Sequence, residues 1–408
     1  MIRKLLTFEE AKRTIEANFK PQFLGEEEAV LLEAANRVLA ADVASPIDIP
    51  SFSSSKFNGY AIKAQDTVAA DEDAPVELKV VGCVGVGEEC KVQLQNGEAV
   101  EVSADAVLPE GADAVIALED AAQEDDALKV FSPLAVGEGV YQRGCDIKAG
   151  SVVLAKGQVL GSSEIGVLAA LGLKQVKVQK IPIIAVFSVG SEVNELSKPP
   201  AHGKTYDLNG YSLSTAVMEC GAKPVYFGVV DNDKSELTRV LKAALASSDL
   251  VIASGGESIV AEVLDGMDKQ GLVVNGVALK PGKTFAAAFI EGKPVFCLPS
   301  NPSAALLMYQ LFARTLVQRL GGRPASGLKT IAAIAGAKMF SAKGSRTFQL
   351  VKLEFDEKCR LIAQPVTASG VSALVEADGF VEIAENEQFV EVDSEVAVLL
   401  FRGLAGKA

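Results

Sequence analysis

The sequence predicts a multidomain protein of the α/β and β classes: a three-layer α/β domain, an inserted β-rich domain, a helical or mixed linking domain, and a small C-terminal β-barrel. Three observations carry that prediction. The chain has 408 residues, more than a single hydrophobic core usually serves. Between residues 181 and 322 apolar β-branched runs alternate with helical patterns, as parallel strands with covering helices do. Outside that stretch, short strand-like runs separated by turn residues point to small β domains.

The elements follow in order. Thr7-Phe8-Glu9-Glu10 has the form of a capping box and opens an amphipathic helix to about Phe19; a second helix is predicted from Glu33 to Ala40. Pro46 and Pro50 then disfavour helix and mark a domain entry. From about 76 to 132 short β runs alternate with turns, and Asn96-Gly97 predicts a hairpin. A helix from Ser162 to Leu171 precedes the α/β stretch. There the strand Ile183–Phe187, a helix Asn209–Cys220 capped by Gly221, the strand Val225–Val230, a helix Lys234–Ala246, the strand Leu250–Ala253 and a helix near Ile259–Lys269 predict a parallel sheet covered on both faces. A hairpin around Glu291-Gly292 leads to a long apolar helix, and β runs such as Phe348–Phe355 and Glu395–Phe401 follow Pro324. The expected domains are 1–45 with 145–180 (helical or mixed), 46–144 (inserted, β-rich), 181–325 (α/β) and 326–408 (β-barrel).

Composition narrows the function. A net charge of −14 and a pI near 4.8 argue against nucleic acid or an anionic membrane as the main partner. No apolar run approaches the roughly 18 residues of a membrane span, and Met1–Thr7 is too short for a signal peptide, so a cytoplasmic location is expected. Six cysteines without metal-ligand spacing read as reduced thiols. The single histidine, His202, argues against His-rich zinc sites and against Ser-His-Asp or Cys-His hydrolases.

Two segments stand out as ligand-binding candidates. Ser254-Gly255-Gly256-Glu257-Ser258 and Lys280-Pro281-Gly282-Lys283 each follow an apolar run, where α/β sheets place their ligand crevice. Glycines let backbone N–H groups approach an anion, and the two lysines add cationic donors, so a phosphate-bearing ligand is expected. The alternative is a plain strand end with solvated lysines. Asp207 is either a ligand contact or a helix cap, and Asn232-Asp233 likewise.

In chain order, Asn58-Gly59-Tyr60-Ala61, Leu108-Pro109-Glu110-Gly111-Ala112-Asp113, Arg143-Gly144-Cys145-Asp146, Phe187-Ser188-Val189-Gly190-Ser191-Glu192, Tyr206-Asp207-Leu208-Asn209, Ser254-Gly255-Gly256, Lys280-Pro281-Gly282-Lys283 and Leu298-Pro299-Ser300-Asn301-Pro302 resemble the motif series of the molybdopterin molybdenumtransferases. That family includes bacterial MoeA and the E domain of gephyrin. The resemblance covers essentially the whole chain and implies an α/β domain of molybdopterin-binding type in an elongated homodimer. It also implies insertion of molybdate into adenylylated molybdopterin with release of AMP. The substrates would be molybdopterin or its adenylate and molybdate, with Mg²⁺ as cofactor and proteins of cofactor biosynthesis as partners.

Carried over by resemblance, Glu192, Asp146, Lys280 and Lys283 are the catalytic candidates, with Glu192 and Asp146 the metal ligands. Ser254, Gly255, Gly256, Ser258, Lys280, Gly282, Lys283, Pro299, Asn301, Pro302 and Asp207 would bind the pterin phosphate. The chain departs from the family pattern at several positions. An aspartate becomes Asn58, a glutamate Cys145, an aspartate Ser191, a glycine Val260, an aspartate Val263 and a glycine Ser300. These changes thin the oxygen ligands for a hard cation while leaving the lysines and first glycines. The competing reading is a catalytically impaired relative that acts as a pterin-phosphate-binding or scaffolding module.

Overall fold

The computed structural model describes residues 5–21, 24–199, 202–269, 271–368 and 370–401. The chain divides into two compact units: residues 1–29, 36–40 and 177–408 form one, and residues 30–35 and 41–176 the other.

The second unit is built on a six-stranded sheet in the order 114–117, 59–62, 98–102, 76–84, 127–130 and 121–124. Its alternating side chains feed two apolar layers, one around Tyr60, Ile62, Leu78 and Leu128, the other around Ala61, Leu94, Val100 and Val115. Asn96-Gly97 forms a turn with Gly97 at φ +76° but closes no hairpin. The strand after it, Glu98–Val102, runs parallel to Val76–Val84, and the segment before it makes only an isolated bridge from Gln93 to Glu110. The helix predicted over 33–40 is a four-residue turn, Leu31–Ala34. Asn36 enters the left-handed region at φ +62°, which a right-handed helix cannot pass through, and Val38, Leu39 and Ala40 beyond it are buried in non-helical backbone. Leu39 instead bridges Val178.

The first unit carries the α/β sheet. Helix α1 (Phe8–Asn18) has the expected capping box between Thr7 and Glu10 and buries Ala11 and Ile15. The sheet strands are β1 (Ile183–Val189), β2 (Lys223–Val230), β3 (Leu250–Ser254), β4 (Leu272–Asn275), β6 (Ala286–Ile290) and β7 (Lys293–Leu298), with β5 (Leu279–Lys280) leaving for another sheet. Their order is β2-β1-β3-β7-β6-β4. The first four are parallel, whereas β6 runs antiparallel to both β7 and β4. The sheet is therefore mixed, because Glu291 and Gly292 at φ +52° and +77° make a tight hairpin where a crossover was needed.

Helices α2 (Asn209–Glu219), α3 (Lys234–Ser247), α4 (Glu257–Met267) and α5 (Pro302–Met308) cover the sheet; α5 runs on through a π turn to Leu320. Alternation divides the strands between two cores. Ile184, Val186, Ile252 and Phe296 face α1, α2 and α5; Ala185, Phe187, Val251, Ala253 and Cys297 face α3 and α4. Val260 and Val263 pack in this second core. Their spacing of three puts both on the buried stripe of α4, so they act as filler there.

Strands β8 (Thr330–Ala335), β9 (Arg346–Phe355), β10 (Leu361–Pro365), β11 (Gly379–Ile383) and β12 (Glu395–Leu400) form a closed barrel, since β9 pairs with both β10 and β11. Closure removes the free edges of a small sheet. Strand β5 adds to it: Leu279 and Lys280 pair in parallel with Arg346 and Thr347.

Candidate functional site

The chain order β1, then β2 on one side, then β3 on the other makes the β1/β3 boundary a topological switch point, where the following loops diverge and leave a crevice. A cavity of about 580 Å³ lies there. Ser188 and Val189 at the end of β1, Ser254 and Gly255 at the end of β3, and Ser300 and Pro302 beyond β7 line it, with Glu192, Tyr206, Asp207 and Asn209 on the side of α2.

Gly255 and Gly256 are required as glycines. Gly255 sits at φ +85° with a would-be Cβ 2.5 Å from the Val189 carbonyl, and Gly256 at φ +55° with its Cβ 2.4 Å from Val189 Cγ1. The tight turn delivers the chain into α4 with no side chain capping its first turn.

Asp207, 2% exposed, organises the crevice. Its Oδ1 accepts from Ser188 Oγ at 2.7 Å and from the Gly210 N–H at 2.9 Å, and its Oδ2 accepts from Tyr226 OH at 2.6 Å. Burial, followed by this carboxylate, raises the Tyr226 pKa and keeps the phenol a donor. Asp207 thus fixes the start of α2 and joins it to β1 and β2. Asn209, 8% exposed, donates from Nδ2 to Ser254 Oγ at 2.9 Å and to the Ser300 carbonyl at 2.8 Å. Together these bonds tie all three loop systems at the strand ends.

Two further cavities hold the lysine candidates. One of about 460 Å³ is lined by Lys280, Pro281, Asn301, Ser303, Phe340 and Thr347, among others. Within its lining the Ser303 hydroxyl, in a residue 6% exposed, has no hydrogen-bond partner among the described residues. The other, of about 530 Å³, is lined by Glu257, Ser258, Asn275, Lys283 and Thr284 with their neighbours. Of these two cavities, Lys280 lines the first and Lys283 the second. The physical reason is β5: pairing with β9 holds Lys280 on the barrel sheet, and the turn through Gly282 at φ +119° returns Lys283 to the α/β side. Neither ammonium has an ion-pair partner among the described residues.

The remaining candidates are distributed as follows. Glu192 is exposed on the 580 Å³ cavity. Asp146 is exposed and lies in the other compact unit, so a joint metal site of the two is not formed within either unit. Among the described residues no three His, Cys, Asp or Glu side chains converge as a metal site. Asn301 caps α5, its Oδ1 accepting from the Ala304 N–H, and Asp233 caps α3 through the Glu236 N–H. Pro299 carries the carbonyl that accepts from Ser254 Oγ. Beside Asp146, Arg143 is ion-paired to Asp48 at 2.7 Å, and the Ala149 N–H and then this guanidinium lower the Asp48 pKa.

Sequence reasoning missed Asn209, Tyr226, Ser303 and Glu257 as site residues. Asn209 stood inside a motif already singled out, two residues after Asp207. Glu257 was embedded in the glycine segment, and a carboxylate there runs against the expectation of an anion cradle.

A mixed α/β sheet with its crevice at the switch point, glycine-lined at one strand end and joined to a closed barrel, defines an α/β protein of multidomain build. Family models agree with this along the chain. The MoeA N-terminal region (domain I and II) matches residues 6–172, the probable molybdopterin binding domain residues 185–319, and the MoeA C-terminal region (domain IV) residues 332–401. A molybdopterin molybdenumtransferase of a Nostoc species is 34% identical over 72% of this chain and 70% of its own length. A putative molybdopterin biosynthesis protein of Methanocaldococcus jannaschii is 30% identical over 98% of this chain and 100% of its own. The crystal structure of a molybdopterin biosynthesis MoeA protein from Pyrococcus horikosii superposes with a TM-score of 0.88 at 36% identity, covering 98% of this chain and 100% of that one. The chain belongs to the MoeA family of molybdopterin molybdenumtransferases.

Proposed function

We propose that this protein inserts molybdenum from molybdate into adenylylated molybdopterin, releasing AMP, and that it works as a homodimer with Mg²⁺. The observation that carries the reading is the convergence of three loops on the 580 Å³ crevice, with two lysines that have no ion-pair partner among the described residues in two further cavities of the same unit.

The two lysines serve two different anions in this reading. Lys283 and Ser258, next to the first turn of α4, neutralise a substrate phosphate. Lys280, with the unpartnered Ser303 hydroxyl, holds a compact oxyanion and so suits molybdate. Glu192 is a carboxylate on the crevice whose side-chain oxygens accept no hydrogen bond among the described residues, whereas the Asp207 oxygens are occupied by three donors. One carboxylate together with substrate phosphates suffices for Mg²⁺. When bound, that ion would offset charge on the phosphoanhydride as it breaks.

The test mixes purified protein with adenylylated molybdopterin, Mg²⁺ and molybdate and follows AMP. Release above that of Lys280→Ala supports the reading. Tight substrate binding with no AMP under any condition would instead assign the protein to binding or scaffolding. Light scattering at catalytic concentration reports the dimer.

A further inference from the structure

We infer that Glu257 is a built-in anion that holds the rim of the 530 Å³ cavity together and weakens its grip on phosphate, so that it sets the charge preference of the site. This rests on the phosphate-binding reading above. Glu257 is the first residue of α4, directly after Gly256. Its Oε1 accepts from the Ser300 N–H at 2.9 Å, from Ser300 Oγ at 3.2 Å and from Thr284 Oγ1 at 3.4 Å. One carboxylate oxygen therefore takes a backbone N–H and two hydroxyls, a donor set suited to an oxygen of a bound oxyanion.

Those three donors come from two loops at one end of a strand pair, since Ala286 of β6 is the register partner of Cys297 of β7. Thr284 follows the Lys280–Lys283 turn, and Ser300 belongs to the turn after β7. Glu257 stitches both to the start of α4. The same side chain lines the cavity beside Lys283, so its one negative charge offsets that lysine's positive charge. The cavity is consequently close to neutral, although it is framed by features that favour anions. A neutral residue of the same shape would keep the stitching and remove the offset.

The experiment compares wild type, Glu257→Gln and Glu257→Ala, with inorganic pyrophosphate as the probe, by titration calorimetry at low and high salt. Glu257→Gln retains an acceptor for the Ser300 N–H, and its pyrophosphate affinity should rise about threefold to tenfold at low salt, with the gain shrinking at high salt. Hydrogen exchange at the Ser300 amide separates the two roles: protection persists in Glu257→Gln and is lost in Glu257→Ala. Equal pyrophosphate affinity in wild type and Glu257→Gln overturns the inference and leaves the phosphate site intact. No pyrophosphate binding by any of the three overturns both. Binding by Glu257→Gln alone supports the inference in its strongest form. An unprotected Ser300 amide in wild type refutes the stitching.

Discussion

Replacing Asp207 tests the organisation of the crevice directly. Asp207→Ala removes the acceptor for Ser188 Oγ, the Gly210 N–H and Tyr226 OH at once. A buried donor left without a partner costs about 1–3 kcal/mol. The adjoining cavity admits water to part of the vacated space, so a total of about 3–5 kcal/mol is expected. Asp207→Asn keeps one acceptor oxygen for Ser188 and Gly210 and loses only the bond from Tyr226 OH, for about 1–2 kcal/mol. Because the chain contains no tryptophan, urea unfolding is best followed by far-UV circular dichroism, with hydrogen exchange reporting locally. The first turn of α2 should lose protection in Asp207→Ala and largely retain it in Asp207→Asn. Equal destabilisation by the two variants, or unchanged exchange at Gly210, would refute the assignment of Asp207 as the hub.

Gly255→Ala should be folded but impaired: a left-handed alanine costs about 1–3 kcal/mol before its Cβ meets the Val189 carbonyl, and AMP affinity by calorimetry should fall at least tenfold. Lys280→Ala and Lys283→Ala should affect different ligands, the first weakening molybdate and the second pyrophosphate; a double variant that adds no more than either single one would contradict separate cavities. Arg346 bridges Glu9, Glu382 and Glu385 at 3.0, 3.1 and 2.9 Å, and its hydrogen bond lowers the Glu385 pKa. A depressed carboxylate pKa contributes stability that is present above the unfolded value and lost as pH falls through the folded value. Arg346→Met should therefore be destabilised at neutral pH and show a shallower loss of stability on acidification than wild type, as measured by urea midpoints between neutral pH and pH 3.

The α/β core was legible because its periodicity was strong: β1, β3 and β7 are near-continuous apolar runs, and α3 carries its apolar stripe with Asp233 as a clear cap. The reversal of β6 was legible only in part. Glu291-Gly292 marked the hairpin, but a single hairpin in an otherwise parallel pattern also changes strand direction across the sheet. The site was half legible. Glycine and lysine announced themselves by residue type, whereas the separation of Lys280 from Lys283 depends on a two-residue strand, too short for any period to register. Glu257 was hidden for a different reason: its role comes from Ser300 and Thr284, 43 and 27 residues away in sequence. The failed helix at 33–40 shows the converse limit, since apolar residues at 34, 38, 39 and 40 fit a helical stripe that the left-handed Asn36 interrupts.

The excursion of the chain through β5 makes the barrel and the α/β sheet inseparable by cutting. A fragment beginning after residue 325 would keep the five barrel strands yet forfeit the Leu279–Lys280 pairing on β9, exposing the backbone of Arg346 and Thr347. A fragment ending there would leave Lys280 with no strand to lean on.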